Sequence, residues 1–530
     1  MQSGGGQDGV MSKRRRGPLR VLFLSAEVES FAKTGGLGDV AAALPKALRR
    51  LGVDVRICMP RHALVPNDRL EPQPLIERLP VPIGNWQEPV TVRRGWLAGA
   101  RSPAPVSEGS NTGPAVPSLD PAAPGREQAV PVYLIENARY FDRPSIYGHA
   151  DDGERFIIYC RAALELCRAL HWAPDIIHCN DWHTALVPNW LCTLYQDDPL
   201  FADTATVYTI HNLAYQGIFD FHFLWLAGLA EHGFLYPKIP DLAGVVDLMG
   251  RGILFADVIT TVSERYAAEI LSPEYGERLD PLLRERKDRL FGILNGIDTA
   301  VLDPATDPYI PVHYDLEHLE RRRENKLALQ REAALPVDAQ VPLVGMIGRL
   351  SAQKGLDLLA PIAEALLRQG IQLVVLGVGD EHYAQLLRRL ERDYPNQVRA
   401  FLRFDTPLAQ RIYAGSDIFL MPSRYEPCGL GQMIAMRYGS VPVVRATGGL
   451  ADTVAEWDPQ RGTGTGFRFE RYDPLDCLAA LMRALETYRY PEAWRRLQRN
   501  GMACDFSWDR SASKYVELYL LALRTKERAA

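Results

Sequence analysis

Two segments of the chain combine glycines with basic side chains in a pattern that suits a bound anion. Lys33-Thr-Gly-Gly-Leu-Gly-Asp39 leads into a helical stretch, and residues 348–355, which contain Arg349 and Lys354, directly follow an apolar strand. Glycines let backbone N–H groups approach an anion, and a helix N-terminus adds positive potential. A guanidinium fork and an ammonium five residues apart could clamp a diphosphate. The simpler alternative for Arg349 and Lys354 is a pair of solvated surface cations.

The first of these segments also matches the residue pattern of a dinucleotide-binding motif. Gly36-Leu-Gly-Asp-Val-Ala41 matches G-x-G-x-x-A, with Asp54 further along the chain. That fingerprint needs a tight turn straight after a strand, whereas roughly ten residues separate this loop from the preceding strand. Asp54 precedes its strand instead of ending it, and the Walker A pattern is absent. The sequence therefore favours an anion-binding turn over an NAD site, with a plain turn and helix start as the remaining alternative.

A glutamate followed by glycines marks a third segment. Glu426-Pro-Cys428-Gly429-Leu430-Gly431 follows a predicted strand and opens a helix. The glycines would free backbone amides for a phosphate or a sugar. Alone, the segment would be an ordinary Glu-Pro turn, but opposite the loop of Arg349 and Lys354 it becomes the polar floor of a site.

Histidine and aspartate side chains cluster at two strand ends in the first half of the chain. Residues 178–183 contain His178 and Asp181, and residues 209–217 contain His211. His211 lies in a loop with Asn and Gly and is the favoured active-site histidine, whereas a buried core histidine is a reasonable interpretation of His178. Metal binding is the alternative chemistry, but no H-E-x-x-H or facial-triad spacing supports it. No metal ligand is therefore predicted.

Alternating strands and helices must position these segments. The first series of predicted strands lies at 21–24, 53–59, 132–135, 175–179, 206–210 and 258–262, with helices at 41–51, 156–170 and 185–194. The second series has strands at 343–347, 372–376, 398–402, 418–421 and 441–444, with helices at 356–367 and 381–390. This alternation predicts an α/β fold with two parallel, doubly wound sheets. Ligands bind outside the carboxyl ends of such strands.

The two series of strands and helices contain one short segment that is weakly similar in sequence. Thr34-Gly-Gly-Leu-Gly-Asp-Val40 resembles Thr447-Gly-Gly-Leu-Ala-Asp-Thr453, and each lies near a predicted helix start. Two similar sheets facing one another would bring both loops to a shared cleft. Coincidence is the alternative, because glycine-rich loops of this kind are common.

The composition limits the classes of protein that the chain can belong to. It has 530 residues, a formal charge of −5, 47% hydrophobic and 24% charged residues, which is typical of a globular protein with two to four domains. The acidic balance argues against nucleic acid as a partner, and neither a membrane span nor a secretory signal is predicted. The eight cysteines form no C-x-x-C pair, so we expect reduced thiols and a cytoplasmic protein. Residues 1–18 are predicted to be a disordered tail, and the Pro-, Ser- and Gly-rich residues 101–130 a mobile surface insertion.

Taken together, seven segments in order closely resemble bacterial glycogen synthases and plant starch synthases over about 19–523. They are residues 33–37, 140–143, 178–182, 209–217, 294–298, 349–355 and 426–430. The resemblance implies the glycosyltransferase B architecture, in which two Rossmann-like domains face a deep cleft. It implies domains at 19–297 and 298–507, with a C-terminal helix in 508–530 that crosses back to the first domain. The implied reaction is transfer of glucose from ADP-glucose to the nonreducing end of an α-1,4-glucan such as glycogen, with retention and without a cofactor.

The resemblance also implies roles for residues whose motifs match. Arg349 and Lys354 would neutralise the leaving diphosphate, Glu426 would hold glucose hydroxyls, and His211 would lie near the glucose C6 hydroxyl and anomeric centre. The remaining implied roles belong to the donor and acceptor surfaces. They are Lys33, Gly35, Gly36 and Asp39 in the loop facing the diphosphate, Asp181 and Glu27 on the sugar and acceptor side, Asn295 near the donor, Cys428, Gly429, Leu430 and Gly431 in binding the nucleotide sugar, and Phe404 stacked on adenine.

Four departures from the family pattern leave the donor and acceptor preference open. Asn180 stands where the family usually has a second histidine, Gly431 where Thr or Asn is frequent, and Arg278 where Gly is common; Gly250 falls in a stretch that often carries Lys. The alternatives are a UDP-glucose-dependent enzyme, an enzyme with a small acceptor, a glucan-binding protein that has lost catalysis, and a phosphorylase, which would need pyridoxal phosphate. Oligomeric state, glucan chain length and regulation are not predicted.

Overall fold

The computed structural model describes residues 17–97, 128–230 and 245–529. The tail predicted at 1–18 and the insertion predicted at 101–130 lie almost entirely outside these ranges. Among the described residues, no helix is both long enough and apolar enough to cross a bilayer.

Most strands of the first half form one sheet. The strands are β1 Arg20–Leu24, β2 Asp54–Pro60, β3 Ile76–Ile83, β4 Trp86–Leu97, β5 Val130–Glu136, β6 Ile176–Asn180, β7 Ala205–Ile210, β8 Ile218–Asp220, β9 Val245–Asp247, β10 Val258–Thr261 and β11 Leu290–Gly292. Nine of them pair in the order β11-β10-β7-β6-β1-β2-β5-β4-β3, and β8 pairs with β9 separately. Pairing is parallel except at the β3–β4 and β4–β5 edge, which sequence analysis did not predict.

Helices cover both faces of this sheet. They are α1 Gly36–Arg50, α2 Ala138–Phe141, α3 Asp152–Ala169, α4 Leu186–Leu191, α5 His222–Leu226, α6 Leu248–Phe255, α7 Glu264–Glu269 and α8 Asp280–Glu285. Because both faces are covered, a central strand such as β1 reads as a continuous apolar run, RVLFL, in which four of five residues are buried. The observed helix α1 begins at Gly36, five residues before the predicted start at 41.

The second half forms a six-stranded, fully parallel sheet. Its strands are β12 Leu343–Ile347, β13 Gln372–Leu376, β14 Val398–Phe401, β15 Ile418–Met421, β16 Val441–Arg445 and β17 Phe467–Phe469. They pair in the order β14-β13-β12-β15-β16-β17. The helices are α9 Arg322–Glu332, α10 Leu356–Leu367, α11 Glu381–Asp393, α12 Thr406–Gly415, α13 Gly431–Arg437, α14 Gly448–Thr453, α15 Pro474–Tyr488, α16 Pro491–Met502 and α17 Trp508–Ala529.

The strand orders place two topological switch points in the molecule. In the first sheet the chain runs outward from β1 in both directions, so the switch lies between β1 and β6. In the second sheet the corresponding switch lies between β12 and β15. Ligands of doubly wound sheets bind at the carboxyl ends of the strands at such points. The loops that follow these four strands are therefore the places where the fold favours a site.

The last helix, α17, packs against the first half of the chain. It lies along α1, and Ser511 Oγ donates to the Leu294 carbonyl at 2.6 Å. Further along, Tyr519 pairs with His178 Nδ1 at 2.8 Å, while Thr209 Oγ1 lies 2.7 Å from His178 Nε2. His178 is thus a fully buried histidine with both ring nitrogens hydrogen-bonded inside the core.

Candidate active site

Glu27 organises the glycine-rich loop at the end of β1. Its side chain is buried, and Oε2 accepts from the backbone amides of Thr34 at 2.5 Å and Gly35 at 2.8 Å. Tyr147 donates its hydroxyl to the other oxygen, Oε1, at 3.1 Å. Of the two amides predicted to face a phosphate, that of Gly35 is therefore engaged by Glu27. Gly36 borders open space, since a Cβ built there meets nothing within 4 Å.

Lys33 and Asp39 form an ion pair beside this loop. Lys33 Nζ lies 2.5 Å from Asp39 Oδ1, and each side chain keeps 37% of its surface exposed. Burial raises the pKa of Asp39 above its ordinary value, against the opposing effect of Lys33. The ammonium of Lys33 therefore stands at the mouth of the loop, where a ligand could compete for it.

Asp181 follows β6 in a strained conformation. Its backbone φ is +55°, in a region that residues other than glycine rarely adopt. The backbone is held there by a hydrogen bond from the Asp181 amide to the Thr209 carbonyl at 2.9 Å, and Asp181 Oδ1 accepts from the His211 amide at 2.8 Å. Burial raises the pKa of Asp181 to about 7, although hydrogen bonds from the backbone amides of His211 and Asn212 oppose the shift. Strain of this kind concentrates at functional sites.

His211 follows β7, the strand next to β6. Its Nε2 lies 2.9 Å from Asn180 Oδ1. Burial lowers the pKa of His211 to about 3, so its imidazole is neutral at physiological pH. A neutral imidazole here acts as a hydrogen-bonding group for a polar ligand.

The second half contributes a carboxylate and two cations at its switch point. Lys354 Nζ lies 2.6 Å from Glu426 Oε2, which also accepts from Ser423 Oγ at 3.0 Å. Arg349 follows β12 and donates to the Tyr215 hydroxyl of the first half at 3.1 Å, and this hydrogen bond raises the pKa of Arg349. The structure thus brings Arg349, Lys354 and Glu426 together and joins them to the loop that carries His211.

Gly355 fixes the position of Lys354. It has φ +75°, and a Cβ built there would lie 2.0 Å from the Pro422 carbonyl oxygen. We expect Gly355→Ala to displace the Lys354 loop and to lower kcat at least tenfold, together with thermal stability. Gly370→Ala is the matched control, because Gly370 has the same φ of +75° but a Cβ there meets nothing within 4 Å. Equal losses of activity in the two variants would contradict this role of Gly355.

The segment after Glu426 is anchored in the contact between the two halves. Cys428 is buried in an apolar cluster with Val262 and Ile297 of the first half, and burial raises the pKa of its thiol to about 12. Ser263 Oγ donates to the Pro427 carbonyl at 2.6 Å. Gly429, the next residue, has φ +71°, which turns the chain toward Leu430 and the start of α13 at Gly431.

Two other predicted residues lie apart from the ion pairs. Asn295 is buried, its backbone amide is hydrogen-bonded to the Cys428 sulfur, and its Oδ1 has no partner among the described residues. Phe404 follows β14 and has 85% of its surface exposed. Such exposure is unusual for a phenylalanine and leaves the ring free to stack against a ligand.

The two similar glycine-rich loops, residues 34–40 and 447–453, are each hydrogen-bonded to a buried glutamate of the first half. Glu269, a buried residue of α7, accepts from the Gly448 amide at 3.0 Å and from Thr447 Oγ1 at 3.2 Å. Glu27 holds the first loop through the backbone amides of Thr34 and Gly35. A carboxylate from the first half therefore accepts two hydrogen bonds at each Thr-Gly-Gly turn, from two backbone amides in the first and from one amide and one hydroxyl in the second.

Comparisons with known proteins match both halves. The family model for the starch synthase catalytic domain matches residues 20–285, and that for glycosyl transferases group 1 matches residues 330–501. The glycogen synthase of Moorella thermoacetica is 48% identical over 514 residues, which cover 97% of this chain and 98% of that protein. The glycogen synthase of Thermotoga maritima is 47% identical over 506 residues, covering 95% and 99%. The chain belongs to the glycogen and starch synthase family.

A solved structure of this family agrees with the fold. The catalytic domain of starch synthase IV from Arabidopsis thaliana, bound to ADP and acarbose, has a TM-score of 0.84 and 35% identity, covering 96% of this chain and 100% of that chain. The predicted architecture is therefore confirmed: the two sheets are the Rossmann-like halves of a glycosyltransferase B fold, and the protein is a glycosyltransferase.

Several residues that line a cavity between the two halves were not predicted as site residues. A cavity of about 250 Å³ lies between the halves, lined in part by Asn212, Tyr266 and Glu277 from one side and by Arg424, Tyr425 and Arg445 from the other. Asn212, Arg424 and Tyr425 stand inside or directly beside the recognised motifs, so their position was available from the sequence. Arg445, which donates to the Tyr275 hydroxyl at 3.1 Å across the halves, carried no such signal.

Proposed function

We propose that this protein transfers glucose from ADP-glucose to the nonreducing end of an α-1,4-glucan such as glycogen, with retention of configuration. The observation that carries the proposal is that the two cations, Arg349 and Lys354, lie beside the buried carboxylate of Glu426. Arg349 and Lys354 follow β12 at the switch point of one sheet. The hydrogen bond from Arg349 to Tyr215 connects them to the loop of His211, which follows β7, one strand beyond the switch between β1 and β6 in the other sheet. Starch synthase IV, the similar structure, was solved with ADP and acarbose.

The two cations would stabilise the leaving group. As the bond between the sugar anomeric carbon and the diphosphate oxygen breaks, negative charge grows on the diphosphate and positive charge on the sugar. Preorganised donors aimed at the developing charge lower the barrier, because they need no reorganisation during the step. Lys354, now paired with Glu426 at 2.6 Å, and Arg349 are placed for this task.

Retention is best explained by attack on the same face of the sugar that the diphosphate leaves. The C4 hydroxyl oxygen of the acceptor forms the new bond to the anomeric carbon, and its proton passes to the departing phosphate oxygen, which yields ADP. Asp181 is not favoured as a covalent nucleophile, because one of its oxygens already accepts the His211 amide at 2.8 Å. Neutral His211 would hydrogen-bond the sugar, and Glu426 would hold its hydroxyls.

The remaining predicted residues receive supporting roles in this proposal. Lys33, Asp39 and the open side of Gly36 would face the diphosphate, with Glu27 holding the loop in place through Gly35. The backbone of residues 428–431 and the amide of Asn295 would line the donor side of the cleft. Closure of the two halves would exclude water, which otherwise competes with the glucan hydroxyl.

Phe404 supplies a direct test of the nucleotide position. Base stacking on an aromatic ring contributes about 1–3 kcal/mol, so Phe404→Ala is expected to raise KM for ADP-glucose on the order of tenfold with little change in kcat. Tyr490→Ala is the control, because Tyr490 is another exposed aromatic residue of the second half, with 59% of its surface accessible. An unchanged KM in Phe404→Ala would contradict the stacking role.

Nucleotide release tests the proposed donor and acceptor together. The protein is incubated with ADP-glucose or UDP-glucose, with and without glycogen, and the free nucleotide is measured. Glycogen-dependent release of ADP is expected. Release of UDP alone would replace ADP-glucose by UDP-glucose as donor, and glycogen binding without any release would favour a noncatalytic glucan-binding protein.

We also propose a cytoplasmic location. The support is the chemistry of the thiols: all eight cysteines are described, none forms a disulfide, and six of them are buried. Such a set of reduced thiols is typical of proteins in a reducing compartment.

A further inference from the structure

Asn180 is held rigidly at the end of β6, beneath His211. Its side chain is fully buried. Thr184 Oγ1 accepts from the Asn180 amide at 2.6 Å and donates back to the Asn180 carbonyl at 2.9 Å. The side-chain nitrogen, Nδ2, donates to the Leu24 carbonyl at 2.8 Å. Backbone and side chain are therefore both fixed relative to β1 and β6.

This arrangement decides which ring nitrogen of His211 carries the proton. A backbone carbonyl can only accept, so the side-chain atom of Asn180 that faces Leu24 must be the nitrogen. The oxygen, Oδ1, is then the atom that lies 2.9 Å from His211 Nε2. An amide oxygen can only accept, and His211 Nε2 must therefore be the protonated nitrogen of a neutral ring.

The other ring nitrogen is left as an acceptor. His211 Nδ1 makes no hydrogen bond to any described residue, and it is not among the buried unpaired side-chain atoms. In the Nε2–H tautomer Nδ1 carries a lone pair, so it can accept a hydroxyl proton but cannot donate one. A sugar hydroxyl that meets Nδ1 must then be the donor.

We propose that Asn180 is a positioning residue that fixes His211 in the Nε2–H tautomer, so that Nδ1 accepts a hydrogen bond from a hydroxyl of the transferred sugar. The inference rests on the proposed function for the identity of the ligand, but the tautomer is a property of the free protein. The tautomer gives a chemical consequence to the presence of Asn180 where the family usually has histidine. The Asn180 side chain presents only its oxygen to His211 Nε2 and can only accept, whereas an imidazole at that position could either donate or accept.

Several titratable groups surround His211 and must be considered in any pH experiment. Asp181 accepts the His211 backbone amide, and Glu27 lies close enough to raise the pKa of Asp181 further. His178 and His183 are near enough for a charge on His211 to lower their pKa values. Burial holds both of these histidines neutral by lowering their pKa values, and burial is likewise the cause of the lowered pKa of His211, so none of the three rings carries a charge near neutral pH.

The tautomer can be measured without substrate. In protein labelled with ¹⁵N in its histidine rings, the His211 signals are assigned by their loss in His211→Gln. We expect a protonated Nε2 and an unprotonated Nδ1 down to pH 5, and we expect Asn180→Leu to add a population with protonated Nδ1. A proton on Nδ1 in the unmodified protein, or an unchanged tautomer in Asn180→Leu, would overturn the proposal whether or not the protein transfers glucose.

Transfer activity provides the second measurement. We expect Asn180→Leu to lower kcat/KM about tenfold, as expected for one misdirected hydrogen bond, and Asn180→Asp to add an ionisation to the kcat/KM pH profile because a carboxylate beside Nε2 favours the charged ring. Asn325→Leu is the matched control, since that buried asparagine bonds the Val312 amide and carbonyl in the other half. A purely structural role for Asn180 predicts lower stability with the pH profile unchanged, and that result would also overturn the proposal.

Discussion

Lys354→Ala is expected to lower kcat by about 10²–10³-fold while the protein remains folded. The ammonium stabilises charge that grows as the diphosphate leaves, and loss of one such donor costs about 2.7–4 kcal/mol of transition-state stabilisation. Lys354 is partly exposed, with 20% of its side chain accessible, so its removal leaves no large cavity. The measurement is kcat at saturating ADP-glucose and glycogen, with a thermal melt of the same sample.

The loss must be separated from the effect on Glu426, whose buried carboxylate loses its ion-pair partner in this variant. Because Glu426 is itself proposed to hold the sugar, the double variant Lys354→Ala/Glu426→Gln is compared with Glu426→Gln alone. If the unpaired carboxylate caused the loss, these two variants would have the same kcat, whereas we expect the double variant to remain about 10²–10³-fold slower. Lys514→Ala, which removes an exposed pair with Glu264, is the control and should retain normal kcat. Turnover of Lys354→Ala close to that of the unmodified protein would rule out the assigned role.

Asp181→Asn is expected to change stability and activity in opposite directions. The amide oxygen can still accept from the His211 amide, so the strained turn is preserved, but the negative charge of this partly buried side chain is gone. We expect kcat to fall at least tenfold, because the proposed sugar side of the cleft loses that charge. At pH 8 we expect the free energy of unfolding to rise, on the order of 2 kcal/mol.

The sign follows from the raised pKa of Asp181. Folding moves it from an ordinary value near 4 to about 7, so between these values the folded state binds more protons than the unfolded state. The contribution of Asp181 to stability is therefore greatest below pH 4 and is lost as the pH rises to about 7. Denaturant unfolding of both proteins at pH 5 and pH 8 should show the advantage of Asp181→Asn growing with pH. An advantage that shrinks with pH would contradict the raised pKa of this carboxyl in the folded protein.

The sequence predicted the buried parallel strands best. The bounds predicted for β12, β13, β15 and α10 are those observed, because a strand covered on both faces is an unbroken apolar run between polar turns. The edge hairpin of β3 and β4 was missed, since it contains prolines and alternates buried with exposed residues. The early start of α1 was missed because glycines usually interrupt helices, whereas Gly38 is needed here: a Cβ there would lie 2.9 Å from Lys33 Cγ.

The candidate site was predictable in its residue types but not in its hydrogen bonds. The motifs identified Glu426, Lys354 and Asp181, which the structure places at the two switch points, and His211, which follows the neighbouring strand β7. Asn180 was noted only as a departure from the family pattern, because its contact with His211 joins residues 31 apart on neighbouring strands. The engagement of the Gly35 amide by Glu27 was also missed, although the two residues are only eight apart, because it depends on how the loop between them folds back. The roles of these residues remain predictions.

The most direct test of the central claim is the structure of the product. The protein is supplied with ADP-glucose carrying ¹³C at the anomeric carbon and with glycogen, and the polymer is examined by NMR. The account predicts the label in new α-1,4 linkages at nonreducing ends, in an amount equal to the ADP released. Label found only as free glucose, in β linkages or still in the nucleotide sugar would contradict it.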